Sequence, residues 1–219
     1  MSVQDLLSGV YVIVDNSMAP ERSHEELARA ALDAGARVLQ LRAKTLPRRE
    51  VVEVGRRLRE MTRREGALFI LNDLVDVALL LDADGVHLGQ GDFPLSVARR
   101  IVGYRLLIGI STHDQEQAQT AARGGADYVG FGPVFETGSK DTGHAATGLE
   151  ALRSVADVVR IPVVAIGGLT AARFAEVLEA RATAGAFLSA VCAAPDVRQA
   201  TADLIAIHRK SAPHRARES

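Results

Sequence analysis

The stretch ALFILNDLVDVALLLDADGVHLGQGD, residues 67–92, decides the fold. It opens on an apolar run, 67–71, and passes through the polar pair Asn72-Asp73. LVDVALLLDA then carries apolar residues at helical spacing, DADG supplies a small-residue stop, and a second apolar run, 85–88, ends in Gly89-Gln90-Gly91-Asp92. Strand, helix, tight turn and strand make a βα unit, and runs apolar at nearly every position suit parallel strands buried on both faces. Polar residues collect just after each strand.

The same alternation fills the rest of the chain. Further strand-like runs lie at 10–14, 37–41, 106–110, 128–131, 162–166 and 186–188. Between and after them lie helical stretches: HEELARAALDAG, REVVEVGRRLREMTRREG, PLSVARRIV, DQEQAQTAARGG, GLEALRSVADVV, TAARFAEVLEA and APDVRQATADLIAIHRK. Eight strands alternating with eight helices predict a single-domain (β/α)8 TIM barrel over residues 1–209, with a polar tail, 210–219, expected to be disordered. An open doubly wound sheet would announce itself by G-x-G-x-x-G after the first strand, and VIVDNSMAP has no such loop. The even spacing and the length of 219 residues favour closure.

Composition narrows the partners. Lys plus Arg number 26 against 27 Asp plus Glu, a net charge of −1 spread along the chain, so neither nucleic acid nor an acidic membrane surface is expected. The single cysteine, Cys192, forms no intramolecular disulfide, and no apolar run approaches the roughly 18 residues of a membrane span, which together predict a cytoplasmic protein. A homo-oligomer is compatible with the sequence.

The strand ends, taken in order, form a coherent set. They are Gln40-Leu41-Arg42-Ala43-Lys44, Asn72-Asp73, His87 to Asp92, Ser111-Thr112-His113, Thr137-Gly138-Ser139-Lys140, Gly167-Gly168 and Leu188-Ser189. Alternation in a strand would point Gln40, Arg42 and Lys44 the same way, into the barrel mouth. Taken singly, Arg42 and Lys44 read as solvated charges, Asp73 and Asp92 as helix N-caps, and Gly167-Gly168 as a turn. Together, at consecutive strand ends of a barrel, they read as a site.

Two carboxylates on adjacent strand ends, Asp73 and Asp92, suit Mg2+, which takes one or two carboxylates and leaves room for water and substrate phosphate. Arg42, Lys44 and Lys140 bring the positive charge a diphosphate needs. Across the mouth, Gly168, Leu188 and Ser189, with Thr137 and Ser139, suit a monophosphate. Phosphorylated small molecules are therefore the expected partners.

The segments QLRAK, NDLVDVALLLDADGVHLGQGD, GISTHD, GADYVGFGPVFETGSK, PVVAIGG and FLSA, in this order, resemble the thiamine phosphate synthase family from Tyr11 to about Ile207. The resemblance implies a transferase that joins a pyrimidine methyl diphosphate to a thiazole phosphate, forming thiamine phosphate and diphosphate. It implies that Gln40, Arg42, Lys44, Asn72, Ser111 and Lys140 bind the pyrimidine diphosphate, with Lys140, Arg42 and Lys44 assisting its departure. It also implies that Asp73 and Asp92 hold Mg2+, and that Thr137, Ser139, Gly168, Leu188 and Ser189 bind the thiazole phosphate. The implied chemistry is dissociative and needs no protein nucleophile.

GPVFET also resembles a related thiazole tautomerase on the same barrel, but Pro133 stands where proton transfer would need a titratable side chain. A non-catalytic sensor of phosphorylated ligands is the alternative of another class. His87 is expected to pack or hydrogen-bond in the barrel mouth, and His113 and His144 to be solvated loop residues. The stretch 138–148 reads as a mobile lid, and Glu136 stands where the family often carries proline.

Overall fold

The computed structural model describes residues 2–137 and 145–211. Eight parallel strands close into a barrel in sequence order: β1 (Gly9–Val14), β2 (Val38–Leu41), β3 (Leu68–Asn72), β4 (Gly85–Leu88), β5 (Leu107–Thr112), β6 (Tyr128–Phe131), β7 (Val163–Ala165) and β8 (Ala184–Phe187). Closure is made by β8 against β1, with Gly9 opposite Ala184 and Val12 opposite Phe187. The outer helices are α2 (His24–Asp33), α3 (Arg48–Glu65), α4 (Val75–Leu80), α5 (Leu95–Val102), α6 (Gln115–Arg123), α7 (Gly148–Val158), α8 (Ala171–Glu179) and α10 (Val197–Ser211). Two short α-helices lie outside the eightfold alternation, α1 (Val3–Leu7), before β1, and α9 (Ser189–Cys192), after β8, and a single 3-10 turn, Asn16–Met18, follows β1. None is long enough for hydrophobic periodicity to announce it in the sequence.

The barrel sorts each strand into two faces. Val10, Val12 and Val14 of β1 belong to the core shared with the helices, whereas Tyr11 and Ile13 belong to the group inside the barrel with Val38, Ile70, Tyr128 and Val164. Leu7 is fully buried in that inner group, so α1 closes the N-terminal end of the barrel.

Local chemistry fixes the connections. Ser23 and Glu26 form a capping box at the start of α2, each side chain accepting from the other's backbone N–H. Gly66 ends α3 at φ 63°, a conformation that favours glycine. Asp84 and Asp127, which precede β4 and β6, do more than turn the chain. Asp84 accepts from the Phe69 N–H at 2.7 Å and from Arg59 at 2.8 and 3.1 Å. Asp127 accepts from the Ile108 N–H at 2.7 Å and from Arg99 at 2.6 Å. Each carboxylate thus ties the neighbouring strand to the helix that precedes it.

At the C-terminus, α10 runs on through Lys210 and Ser211, which the sequence placed in the polar tail. No helix among the described residues is long and apolar enough to cross a membrane.

Candidate active site

Gln40 lies inside the barrel, 3% exposed, and its Nε2 donates to Tyr11 Oη at 2.7 Å. Arg42 follows β2 and forms a charge-assisted pair with Asp15, whose other carboxylate oxygen accepts from the Ser17 N–H at 2.9 Å. Burial alone would raise the Asp15 carboxyl, but the Ser17 hydrogen bonds and the Arg42 guanidinium hold it below the usual carboxylate range. His24 is also buried, and burial holds its imidazole below the ordinary histidine value.

Lys44 corrects the alternation argument. Because β2 ends at Leu41, Lys44 sits in a turn, and it reaches the mouth by pairing with Asp73 at 3.3 Å. Lys44 therefore comes to the ends of the strands through a turn rather than through strand periodicity.

Asp73 and Asp92 come together, and neither caps a helix. Asp73 stands at φ 65° after β3, its N–H donating to the His87 carbonyl at 2.9 Å. Asp92 Oδ2 accepts from the Gly89 N–H at 2.7 Å. Burial, and then the neighbouring Asp92 carboxylate, push the Asp73 carboxyl up against the opposing pull of Lys44. No cluster of three or more His, Cys, Asp or Glu side chains occurs among the described residues. Two hard oxygen donors crowded against each other, with the rest of the shell left to water and phosphate, fit Mg2+ and do not fit a closed zinc cage.

The remaining residues line two adjoining cavities at the C-terminal ends of the strands. One is bordered by Tyr11, Gln40, Arg42, Asn72, His87 and Ser111. The other is bordered by His113, Pro133, Thr137, Gly168, Leu188 and Ser189. Their common wall is Ser111, Gly130, Ile166, Ala186 and Leu188. A side chain at Gly168, φ 65°, would meet Phe135 Cβ at 2.8 Å, so the backbone approaches this second cavity only because position 168 is glycine.

His87 hydrogen-bonds inside the mouth as expected, with Nδ1 3.0 Å from Tyr128 Oη and Nε2 2.9 Å from Ser111 Oγ. His113 is not a solvated loop residue. It is half-buried in the second cavity, with Nδ1 2.6 Å from the Gly132 carbonyl, because the loop after β5 folds down onto that after β6. The far end of the expected lid is also held: the N–H groups of Thr147 and Gly148 donate to the carbonyls of Pro133 and Val134 at 2.8 and 3.0 Å. Ser139, Lys140 and His144 lie outside the described residues.

Sequence reasoning missed Asp15, Tyr11 and Tyr128. Asp15 carried the signal used elsewhere, a charge directly after a strand. The tyrosines carried none, because aromatic residues are ordinary in strands. Cys192 is buried, donates to the Ile13 carbonyl at 3.2 Å, and burial pushes its thiol up to about 11, which leaves it unreactive at neutral pH.

A closed parallel barrel with cations, paired carboxylates and a glycine-lined cavity at the C-terminal ends of its strands has the layout of a (β/α)8-barrel enzyme. Comparison with known proteins makes the class particular. Residues 10–191 match the family described as Thiamine monophosphate synthase. The chain is 46% identical over 198 residues to the thiamine-phosphate synthase of Chloroflexus aurantiacus, covering 90% of this chain and 91% of the relative. It is 44% identical over 191 residues to that of Moorella thermoacetica, covering 87% and 91%. The solved thiamine phosphate pyrophosphorylase of Pyrococcus furiosus superposes with TM-score 0.88 at 43% identity, over 96% of this chain and 98% of that one. A 3-hexulose-6-phosphate synthase, 18% identical with TM-score 0.70, shares the fold. The chain belongs to the thiamine monophosphate synthase family, and with it to the transferases that form thiamine phosphate.

Proposed function

We propose that the two cavities divide the substrates of a thiamine phosphate synthase. The pyrimidine methyl diphosphate occupies the one bordered by Gln40, Asn72 and Ser111, with its diphosphate toward Arg42 and Lys44. The thiazole phosphate occupies the one bordered by Thr137, Gly168, Leu188 and Ser189. Lys140 and Ser139, outside the described residues, are assigned by the family resemblance to the diphosphate and the thiazole phosphate respectively. The observation that carries this reading is the shared wall at Ser111, Gly130 and Leu188, across which two separately held ligands would lie edge to edge.

Asp73 and Asp92 would hold Mg2+, which when bound supplies positive charge to the departing diphosphate. Arg42 and Lys44 stand on the same side and stabilise that charge further. The bond from the pyrimidine methylene carbon to the diphosphate oxygen breaks, the electron pair leaving with diphosphate. The thiazole nitrogen then supplies the pair for the new carbon–nitrogen bond. Holding the two rings in contact lowers the entropic cost of that capture, and no side chain needs to act as nucleophile.

The test is to mix the purified protein with both phosphorylated substrates, with Mg2+ and with EDTA, and to measure thiamine phosphate. Product that appears only with Mg2+ supports the reading. Product independent of Mg2+ refutes the metal assignment, and isomerised thiazole in place of product would establish the tautomerase instead.

A further inference from the structure

The barrel interior holds a continuous polar chain whose middle members, Tyr11, Tyr128 and His87, the substrate assignments do not use. Gln40 Nε2 donates to Tyr11 Oη at 2.7 Å, and Tyr11 Oη lies 3.0 Å from Tyr128 Oη. Tyr128 Oη lies 3.0 Å from His87 Nδ1, and His87 Nε2 lies 2.9 Å from Ser111 Oγ. Two glycines make room for the rings. Gly109, the register partner of Tyr128, lies directly under its ring, and a Cβ at Gly130 would stand 2.9 Å from His87 Cε1. Both tyrosines are fully buried, and burial pushes both phenols above their ordinary value, so each keeps its one hydrogen.

One hydrogen per hydroxyl gives the chain a direction. If Tyr11, accepting from the Gln40 amide, passes its own hydrogen to Tyr128, then Tyr128 donates to His87 Nδ1 and the imidazole hydrogen sits on Nε2, toward Ser111. In that direction Ser111 Oγ, having accepted, would turn its hydrogen toward the cavity, and Gln40 would turn Oε1 toward the same cavity. No described residue bonds either of these two atoms on the cavity side.

We propose that Tyr11, Tyr128 and His87 are positioning residues whose one-way hydrogen-bond chain presents an acceptor at Gln40 and a donor at Ser111, selecting an aminopyrimidine over its oxo analogue. An aminopyrimidine offers an exocyclic N–H beside an unprotonated ring nitrogen, which complements that pair. The oxo analogue offers a carbonyl beside a ring N–H, and meets acceptor with acceptor and donor with donor. The proposal rests on the pyrimidine occupying this cavity. A site built around hydrogen bonds of fixed polarity rejects the mismatched ligand by about 10^4-fold, far more than shape alone allows.

Two measurements test it. The first is 15N NMR of histidine-labelled protein at neutral pH, with the His87 signals assigned by their loss in His87→Gln. The chain predicts the Nε2–H tautomer; hydrogen on Nδ1 would mean that the chain runs the other way and would overturn the proposal. The second compares binding of the amino and oxo pyrimidine diphosphates by calorimetry in the parent protein, Tyr128→Phe and Tyr11→Phe. The parent should prefer the amino compound strongly, and either substitution should shrink that preference at least tenfold while thiazole phosphate binding stays unchanged. A variant that only melts earlier, with the preference intact, would reduce the tyrosines to packing. If the parent bound neither pyrimidine, the substrate assignment would fail, and the tautomer would still report the direction of the chain.

Discussion

The pair between Asp15 and Arg42 supports a prediction worked from its burial. The side chains are 5% and 16% exposed, so this is a desolvated pair rather than a surface ion pair worth little. Asp15→Asn keeps an acceptor for the Ser17 N–H but removes the charge, leaving the guanidinium of Arg42 short of its partner. Loss of one partner of a fully buried pair costs roughly 3–5 kcal/mol. Arg42 is partly exposed and borders a cavity, so the expected loss falls below that, about 2 kcal/mol, near the value of one charge-assisted hydrogen bond. For a chain of this size about 2 kcal/mol lowers Tm by roughly 4–8 °C.

Thermal unfolding of the parent and variant across pH reads the effect. The folded Asp15 carboxyl is lower than its unfolded value, so its contribution is complete above the ordinary carboxylate range and disappears as pH falls through the lowered folded value. The gap in Tm should therefore be full at pH 7 and close toward acid. A double variant, Asp15→Asn with Arg42→Met, should lose less than the two single changes added together, because it leaves no charge stranded. A Tm gap that is absent at pH 7, or that is the same at all pH values, would refute the reasoning. Kinetics is the weaker readout here. The change removes both an anchor for Arg42 and a carboxylate that repels diphosphate, and the two act in opposite directions.

Lys140→Ala should lower kcat by at least tenfold in steady-state assays while leaving thiazole phosphate binding within about twofold, since a charge acting on the leaving group works mainly in the transition state. Asp73→Asn and Asp92→Asn should each raise the Mg2+ concentration for half-maximal activity by about tenfold or more, checked by Mg2+ titration. Gly168→Ala, at φ 65° and against Phe135, should cost roughly 1–3 kcal/mol in unfolding and raise the KM for thiazole phosphate while sparing that for the pyrimidine. Cys192 should resist iodoacetamide at pH 8 in the folded protein and react once it is unfolded, as mass spectrometry would show.

Most strands were legible because each is an apolar run bounded by turn chemistry, and eight such runs at even spacing leave few architectures open. Gly85–Leu88 and Tyr128–Phe131 end where the sequence places them. Strand ends that are polar were read one or two residues short: Asn72, Ser111 and Thr112 still pair in the sheet. Asn72 and Ser111 are polar because they face the mouth, whereas Thr112 points to the other face, where its buried hydroxyl donates to the Gly130 carbonyl at 3.2 Å; all three backbones continue the ladder. The candidate site residues stand out for the same reason, as charges and amides directly after the apolar runs.

What the sequence hid lies where both faces of a strand are buried. In β1 every residue is buried, so no polar alternation separates Tyr11, which faces the barrel axis, from Val10 and Val12, which face the helices. The axis-facing side becomes visible only through register, which sets Asn72 level with His87, His87 with Gly109, and Gly109 with Tyr128. Barrel interiors are usually filled by Val, Ile and Leu, residues that leave no hydrogen bond to satisfy. Two phenols and an imidazole at these positions each require a partner, and a chain left incomplete would cost more than an aliphatic core. Here each hydroxyl and ring nitrogen of the chain has a partner, and both of its ends open on one cavity. Stability alone would be served by valine at these sites, so the arrangement is explained by what it holds still at those two ends.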